Sequence, residues 1–234
     1  MAKDMSDWSR FERLTPFRIR DVLLVASPFD FYLLEESGYL AEIMRQEYAE
    51  LNLSQSPRII HSREARDALQ LIRERQFDLV ITMARVGSMD VNAFGREVKS
   101  IVTDMPVILL SHNTRELATL HAGDGIDRIF VWTGDSRILL SICKLIEDEK
   151  NVAYDVSDAD VQVILLVEDS RRFYSAYLPL LYTQLVKQTT RLMGEGGNLE
   201  EKLLRLRARA KILLATDMQS ARSIIDRYHN NIIG

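Results

Sequence analysis

Two adjacent carboxylates, Glu168 and Asp169, stand directly after the apolar run Val163-Ile164-Leu165-Leu166-Val167. A hard divalent cation takes oxygen ligands, so a carboxylate pair at the end of a buried strand is a place to hold such an ion and a phosphate bound to it. The run is β-branched at Val163, Ile164 and Val167, the pattern of a strand covered on both faces in a parallel sheet between helices. Open α/β sheets bind ligands at the carboxyl ends of their strands, which is where the pair falls. Another account needs no ligand: a polar residue here also caps the following helix, whose dipole favours negative charge. A cap explains one acidic residue but not two.

The elements needed to position such a site begin much earlier in the chain. Val22–Ala26 is an apolar run, and Pro28 suits the first turn of a helix from about Phe29 to Leu51. Arg58–His61 is a second run, and Ser62 is placed to cap a helix over Arg63–Arg75 with Ala65, Ala68, Leu69 and Ile72 on one face. Phe77–Met83 reads as a third strand, Val91–Val102 as a helix, and Pro106–Ser111 as a fourth strand. Asn113 is placed to cap a helix through His121. Ile126–Trp132 then gives a fifth strand, and Ser136–Lys150 a helix with Ile138, Leu139, Ile142 and Ile146 inward. Strands alternating with helices over 20–153 predict an α/β fold, a doubly wound parallel five-stranded sheet with right-handed crossovers. Residues 1–19 read as a loosely ordered N-terminal arm, and the aspartate-rich stretch 154–160 as a linker.

After the linker the pattern restarts. Val22-Leu23-Leu24-Val25-Ala26-Ser27, followed by Phe31-Tyr32, matches Ile164-Leu165-Leu166-Val167-Glu168-Asp169, followed by Phe173-Tyr174, at one constant spacing. Arg58-Ile59-Ile60 with Ala68 recurs as Lys211-Ile212-Leu213 with Ala221. The second copy has a longer first helix, Arg171 to about Leu192, and an inserted segment Asn198–Arg209. The basic residues Lys202, Arg205, Arg207, Arg209 and Lys211 there fit either a phosphate-contacting patch or a solvated helix face. Ala210–Ala215 follows as a strand, Asp217–Tyr228 as a helix, and Ile232-Ile233-Gly234 as a third strand barely begun. Two strands and a beginning leave a sheet edge unpaired. The expectation is therefore that 161–234 is the N-terminal half of a truncated domain, the alternatives being docking on the first copy or completion by a second chain in a homodimer.

Composition limits the function classes. With 234 residues, 47% hydrophobic and 27% charged, and a net charge of -4, the chain is a globular protein without the concentrated basic face of a nucleic-acid binder. Its single cysteine, Cys143, excludes an internal disulfide and a thiolate metal cluster. No run approaches the roughly 18 apolar residues of a membrane span, and 1–20 carries charges where a signal peptide has an apolar core. These features point to a cytoplasmic protein with no membrane partner. His61, His112, His121 and His229 show no metal-ligand spacing, and Gly194-Glu195-Gly196-Gly197 follows no strand, so it is not a phosphate cradle.

On these residues, 20–153 resembles the receiver (CheY-like) domain of bacterial response regulators, and 161–234 resembles the first half of another. The resemblance implies an acidic pair after the first strand for a divalent metal and an aspartate after the third as phosphoacceptor. It also implies a hydroxyl after the fourth strand and a lysine after the fifth, which together with the metal balance the charge of the transferred group. In the first copy the acidic pair is replaced by Ala26 and Ser27, the acceptor position falls on Met83, and the lysine position is Trp132; only the hydroxyl survives, as Ser111. A thioether cannot accept a phosphoryl group, so the resemblance implies a pseudo-receiver. Asp30 and Asp90 lie near the expected site, either as solvated loop or first-turn residues or as substitute acceptors. In the second copy Glu168 and Asp169 occupy the metal positions, where Mg2+ would bind; no other cofactor is implied.

Leu178-Pro179-Leu180-Leu181-Tyr182, with Arg207–Thr216, is also similar to paired receiver-like modules ahead of phosphoenolpyruvate synthase-type regions in large bacterial proteins. The function these resemblances imply is a regulatory signal-transduction module, not an enzyme, that acts on a protein partner or on further domains of the same polypeptide. Two other readings stay open. One is a phosphorelay regulator with its acceptor in the completed second domain; the other is a regulatory domain that holds a small metabolite at the edge near Ser27, Ser111 and Trp132.

Overall fold

The computed structural model describes residues 13–36, 45, 56–112, 122, 123, 125–135, 137–192 and 208–233. The described residues form two compact units, one drawn from 19–139 and the other from 13–18 and 140–233, so the boundary falls inside a helix. The helix expected over 113–121, most of the stretch to Leu51, and the basic residues Lys202, Arg205 and Arg207 lie outside the described residues, as do Trp8, Phe11 and the loop at 194–197.

In the first unit the order is β1 (Asp21–Val25), α1 (Pro28–Glu36), β2 (Arg58–Ser62), α2 (Ala65–Glu74), β3 (Leu79–Met83), α3 (Val91–Ile101), β4 (Val107–Ser111) and β5 (Arg128–Val131). The five strands are parallel and lie in the order β2-β1-β3-β4-β5. The chain moves one way across the sheet after β1 and the other way after β2. Right-handed crossovers therefore place α1 on one face and α2 and α3 on the other. On the α2/α3 face, Leu23, Val25, Val80, Val107, Leu109 and Ile129 form one core with Ala68, Leu69, Ile72, Phe94 and Val98. Leu24, Ile81, Leu110 and Phe130 on the opposite face are also buried. Apolar runs with no alternation are what a sheet covered on both sides requires.

Local chemistry moves two of the expected boundaries. Ser62 does not cap α2; it is the last residue of β2, its hydroxyl donates to the Glu64 carbonyl at 3.0 Å, and Glu64 precedes the helix without a side-chain cap. β3 starts at Leu79 rather than Phe77 because the Asp78 carboxylate accepts the backbone N–H groups of Arg20 and Asp21 at 2.7 and 2.9 Å, tying the entry of β3 to that of β1. The turn into β5 rests on two glycines in backbone contact. A Cβ on Gly125, whose φ is +108°, would lie 2.4 Å from the Arg96 nitrogen, and one on Gly95 would lie 2.6 Å from the Gly125 carbonyl oxygen.

The second unit holds most of α4 (Arg137–Ala159), then β6 (Val163–Val167), α5 (Arg171–Leu192), β7 (Lys211–Ala215) and α6 (Met218–Tyr228). The repeat seen in the sequence is a repeat of register: Asp21 pairs with Arg58 in β1/β2, and the equivalent Val163 pairs with Lys211 in β6/β7, both parallel. The matched alanines Ala68 and Ala221 are both buried. Ile232 bridges Val163 in parallel on the other side of β6, with Val163 N donating to Asn231 O at 2.8 Å and Ile233 N to Val163 O at 3.0 Å. The order β7-β6-Ile232 thus repeats β2-β1-β3. β6 is less covered than expected: Ile164, Leu165 and Leu166 are half-buried and Val167 is 53% exposed.

The linker expected over 154–160 is helix as far as Ala159. Of its aspartates, Asp155 is buried and continues a polar stripe begun earlier in the helix: Asp148, Asn151 and Asp155, spaced three and four apart, share one helix face and are at most 1% exposed. Asp148 takes a bidentate ion pair from Arg209 (2.9 and 2.8 Å), the Tyr182 hydroxyl (3.0 Å) and the Ile212 N–H (3.0 Å). Asp155 takes Lys211 Nζ at 2.8 Å and Thr15 N at 2.9 Å, and the Asn151 amide both accepts from Phe17 N and donates to Phe17 O. These bonds hold residues 15–17, part of the stretch read as a loose arm, and they hold Thr15 at φ +53°, a value that a β-branched residue keeps only when its surroundings fix it. Arg209 and Lys211 are therefore neither a phosphate patch nor a solvated face. Burial and the neighbouring Asp148 charge push the Tyr182 phenol well above its usual range, whereas burial lowers the Lys211 ammonium against its carboxylate partners.

Two outcomes are expected in denaturant melts. Gly125→Ala should cost about 1–3 kcal/mol through φ strain and backbone overlap, and a null effect would contradict the close approach. Asp148→Asn leaves Arg209 buried without its counter-charge and should cost about 3–5 kcal/mol.

Candidate functional site

The strand ends of the first unit converge on one cavity of about 250 Å³, lined by Ser27, Phe29 and Asp30 after β1, by Met83, Ala84 and Arg85 at and after β3, and by Ser111 and His112 at the end of β4. Its β1 corner is a helix cap. Ser27 O accepts Phe31 N at 2.8 Å and Ser27 Oγ accepts Asp30 N at 3.1 Å, while the same hydroxyl donates to Asp30 Oδ2 at 2.8 Å. The reciprocal bonds fold the carboxylate back over the strand end. Asp30 is thus the first-turn residue expected, but it is only 6% exposed and not solvated. Its Oδ1 lies 3.7 Å from His112 Nε2, beyond hydrogen-bonding distance.

The other expected residues separate into two groups. Ser111, 1% exposed, and Met83, 2% exposed, both line the cavity, so Met83 presents a thioether at the end of β3. Trp132 does not line it; the indole is 9% exposed, and its backbone N–H donates to the Ser111 carbonyl at 2.8 Å. Trp132 is thus a core residue that lies off the cavity lining. Asp90 is also outside the lining. It caps α3, accepting Asn92 N and Ala93 N at 3.0 Å each.

The β2 side of this edge is closed by an aromatic pair that sequence reading missed. His61 stacks on Phe31 with ring centroids 3.8 Å apart, and His61 Nε2 donates to the Ala26 carbonyl at 2.9 Å. Since a carbonyl only accepts, that nitrogen carries the proton. The involvement of Arg85 was also not foreseen, because nothing in an exposed loop arginine signals which cavity it borders; for His112 the only signal was its place beside Ser111.

The strand-end cavity of the first unit does not fit a divalent metal. In the first unit Ala26 offers no donor and Met83 only a soft sulfur, leaving Asp30 as the single carboxylate. In the second unit Glu168 Oε1 accepts the N–H of Ser170, the residue before α5, at 2.9 Å, and Asp169 is exposed. Among the described residues no three His, Cys, Asp or Glu side chains gather as a metal-binding group. No described helix is long and apolar enough to cross a membrane.

The strand order and the strand-end cavity define the class: an open, doubly wound α/β unit of the flavodoxin-like type, with order 2-1-3-4-5. Solved structures similar to the chain are receiver domains. They include the signal receiver domain of an HD domain-containing protein from Pseudomonas fluorescens Pf-5 (20% identity, 59% of this chain and 94% of that one, TM-score 0.44). A CheY-like response regulator receiver domain protein from Methanospirillum hungatei JF-1 (16% identity, 58% and 98%, TM-score 0.43) is similar too. So is the signal receiver domain of a signal transduction histidine kinase from Syntrophus aciditrophicus (24% identity, 56% and 91%, TM-score 0.39). The remainder of the chain is unmatched in these comparisons. No family model and no curated protein matches the sequence.

If Met83 is packing rather than chemistry, its truncation should act on stability. Met83→Ala is expected to cost about 2–5 kcal/mol and Met83→Leu under about 1.5 kcal/mol, read from thermal or urea unfolding. Equal, negligible effects of both would contradict the core role.

Proposed function

We propose that the chain is a regulatory signal-transduction module that works through protein contact, and that its first unit takes up no phosphoryl group. The observation that carries this reading is Met83 at the end of β3, where the receiver resemblance places the acceptor aspartate. Phosphoryl transfer needs an oxygen nucleophile in line with the donor and positive charge to stabilise the transferred group. The sulfur of Met83 is not such a nucleophile, Ala26 and Ser27 bring no carboxylate to hold a cation, and Trp132 stands uncharged in the lysine position. What persists is the scaffold: the five-stranded order, the Ser111 hydroxyl and the strand-end cavity. The partner is another protein or further domains of the same polypeptide.

Incubation with acetyl phosphate and magnesium should give no phosphoryl adduct by intact mass. A hydroxylamine-labile adduct mapped to Asp30 or Asp90 would overturn the reading.

A further inference from the structure

The strand-end cavity combines groups of opposite charge in a space suited to one size of molecule. Asp30 is a buried carboxylate with several acceptor positions. Ser27 satisfies Oδ2, and Oδ1 accepts no hydrogen bond among the described residues. Phe29, 67% exposed, stands next to it on the lining, and an aromatic face beside a carboxylate is a recognition pair for an organic ammonium group. Arg85, an exposed guanidinium on the same lining, matches a carboxylate in geometry and charge. His112 adds a second nitrogen donor. A volume of about 250 Å³ is below the roughly 300–1,000 Å³ of cofactor and drug-sized sites, and corresponds to about eight waters at ~30 Å³ each. That is enough room for an amino acid. A bare metal ion is disfavoured by the single carboxylate, and an inorganic anion by the buried negative charge of Asp30.

We infer that this cavity binds a small zwitterion, a free amino acid or ω-amino acid, with its ammonium group on Asp30 and Phe29 and its carboxylate on Arg85. Such a ligand is the input that takes the place of phosphorylation at this edge, so the inference rests on the reading that the edge takes no phosphoryl group.

The test is titration of the isotope-labelled full chain, followed by amide NMR, with L-alanine, L-threonine and γ-aminobutyrate, and with methylamine and acetate as half-ligands. At least one zwitterion should give saturable shifts around Asp30 and Ser111, with affinity at least about tenfold above either half-ligand. Asp30→Asn should weaken it by about tenfold or more. Arg85→Gln, at an exposed position and with its fold checked by the amide spectrum, should weaken the zwitterion but leave methylamine unchanged. The inference is overturned if no zwitterion saturates, if methylamine binds as tightly as the zwitterions, or if both variants bind like the parent chain. Labelling by acetyl phosphate is scored separately, so phosphorylation of the edge and failure to bind a zwitterion are distinguishable results.

Discussion

Parallel strands covered on both faces can offer chemistry only at their ends, and this constraint organises the first unit. All positions of β3 and β4 are buried, as are the inward residues of β1 and β5, so every side chain along those strands is committed to packing. Polar groups collect where the strands stop: Ser27 and Asp30, Arg85, Ser111 and His112. The same constraint explains why Met83, in the last position of β3, matters so much. Its side chain, 2% exposed, is packed at that strand end and also borders the cavity.

The second unit meets the cost of burying charge in a different way. Asp148 and Asp155 are fully buried, and each is matched by a cation and by additional donors: Arg209, Tyr182 and the Ile212 N–H for the first, Lys211 and Thr15 for the second. Burying an ion pair is seldom a net gain over apolar packing, but removing one partner is expensive, so such a network penalises alternatives more than it stabilises the native state. The contrast with the repeat partner is informative. In the common register, Arg58 starts β2 and pairs with Asp21 while itself remaining exposed, whereas Lys211 starts β7 and is 1% exposed. The same backbone plan thus carries a surface pair in one copy and a core pair in the other.

Much of this architecture was legible in the chain. The apolar runs at Val22–Val25, Leu79–Met83, Val107–Ser111 and Val163–Val167 became strands because β-branched runs of that length have few other ways to be buried. The internal repeat was readable down to the register, since period-two packing ties side-chain matches to strand pairing. Legibility failed where a polar residue's partners are remote in sequence. Asp148, Asn151 and Asp155 look solvated in a linear reading, and only Arg209, Lys211, Thr15 and Phe17, brought from far along the chain, make that face a buried one. Ser62 failed for a local reason: a strand one residue longer used it up, and its hydroxyl went to the Glu64 carbonyl.

For the candidate site the division is similar. The receiver resemblance puts Ala26, Met83 and Trp132 at positions of the acidic pair, the acceptor and the lysine, and their residue types are what imply that this chemistry is missing. Tertiary structure decided which surviving polar groups meet. Asp30 turned inward under the Ser27 cap while Asp90 stayed outside as a cap for α3, and Trp132 went into the core; nothing in their neighbours along the chain distinguishes these fates. Strand identity is set by short-range apolar patterning, which a sequence displays directly. The composition of a strand-end cavity depends on how crossovers bring separate loops together, and that is fixed only when the sheet closes its order.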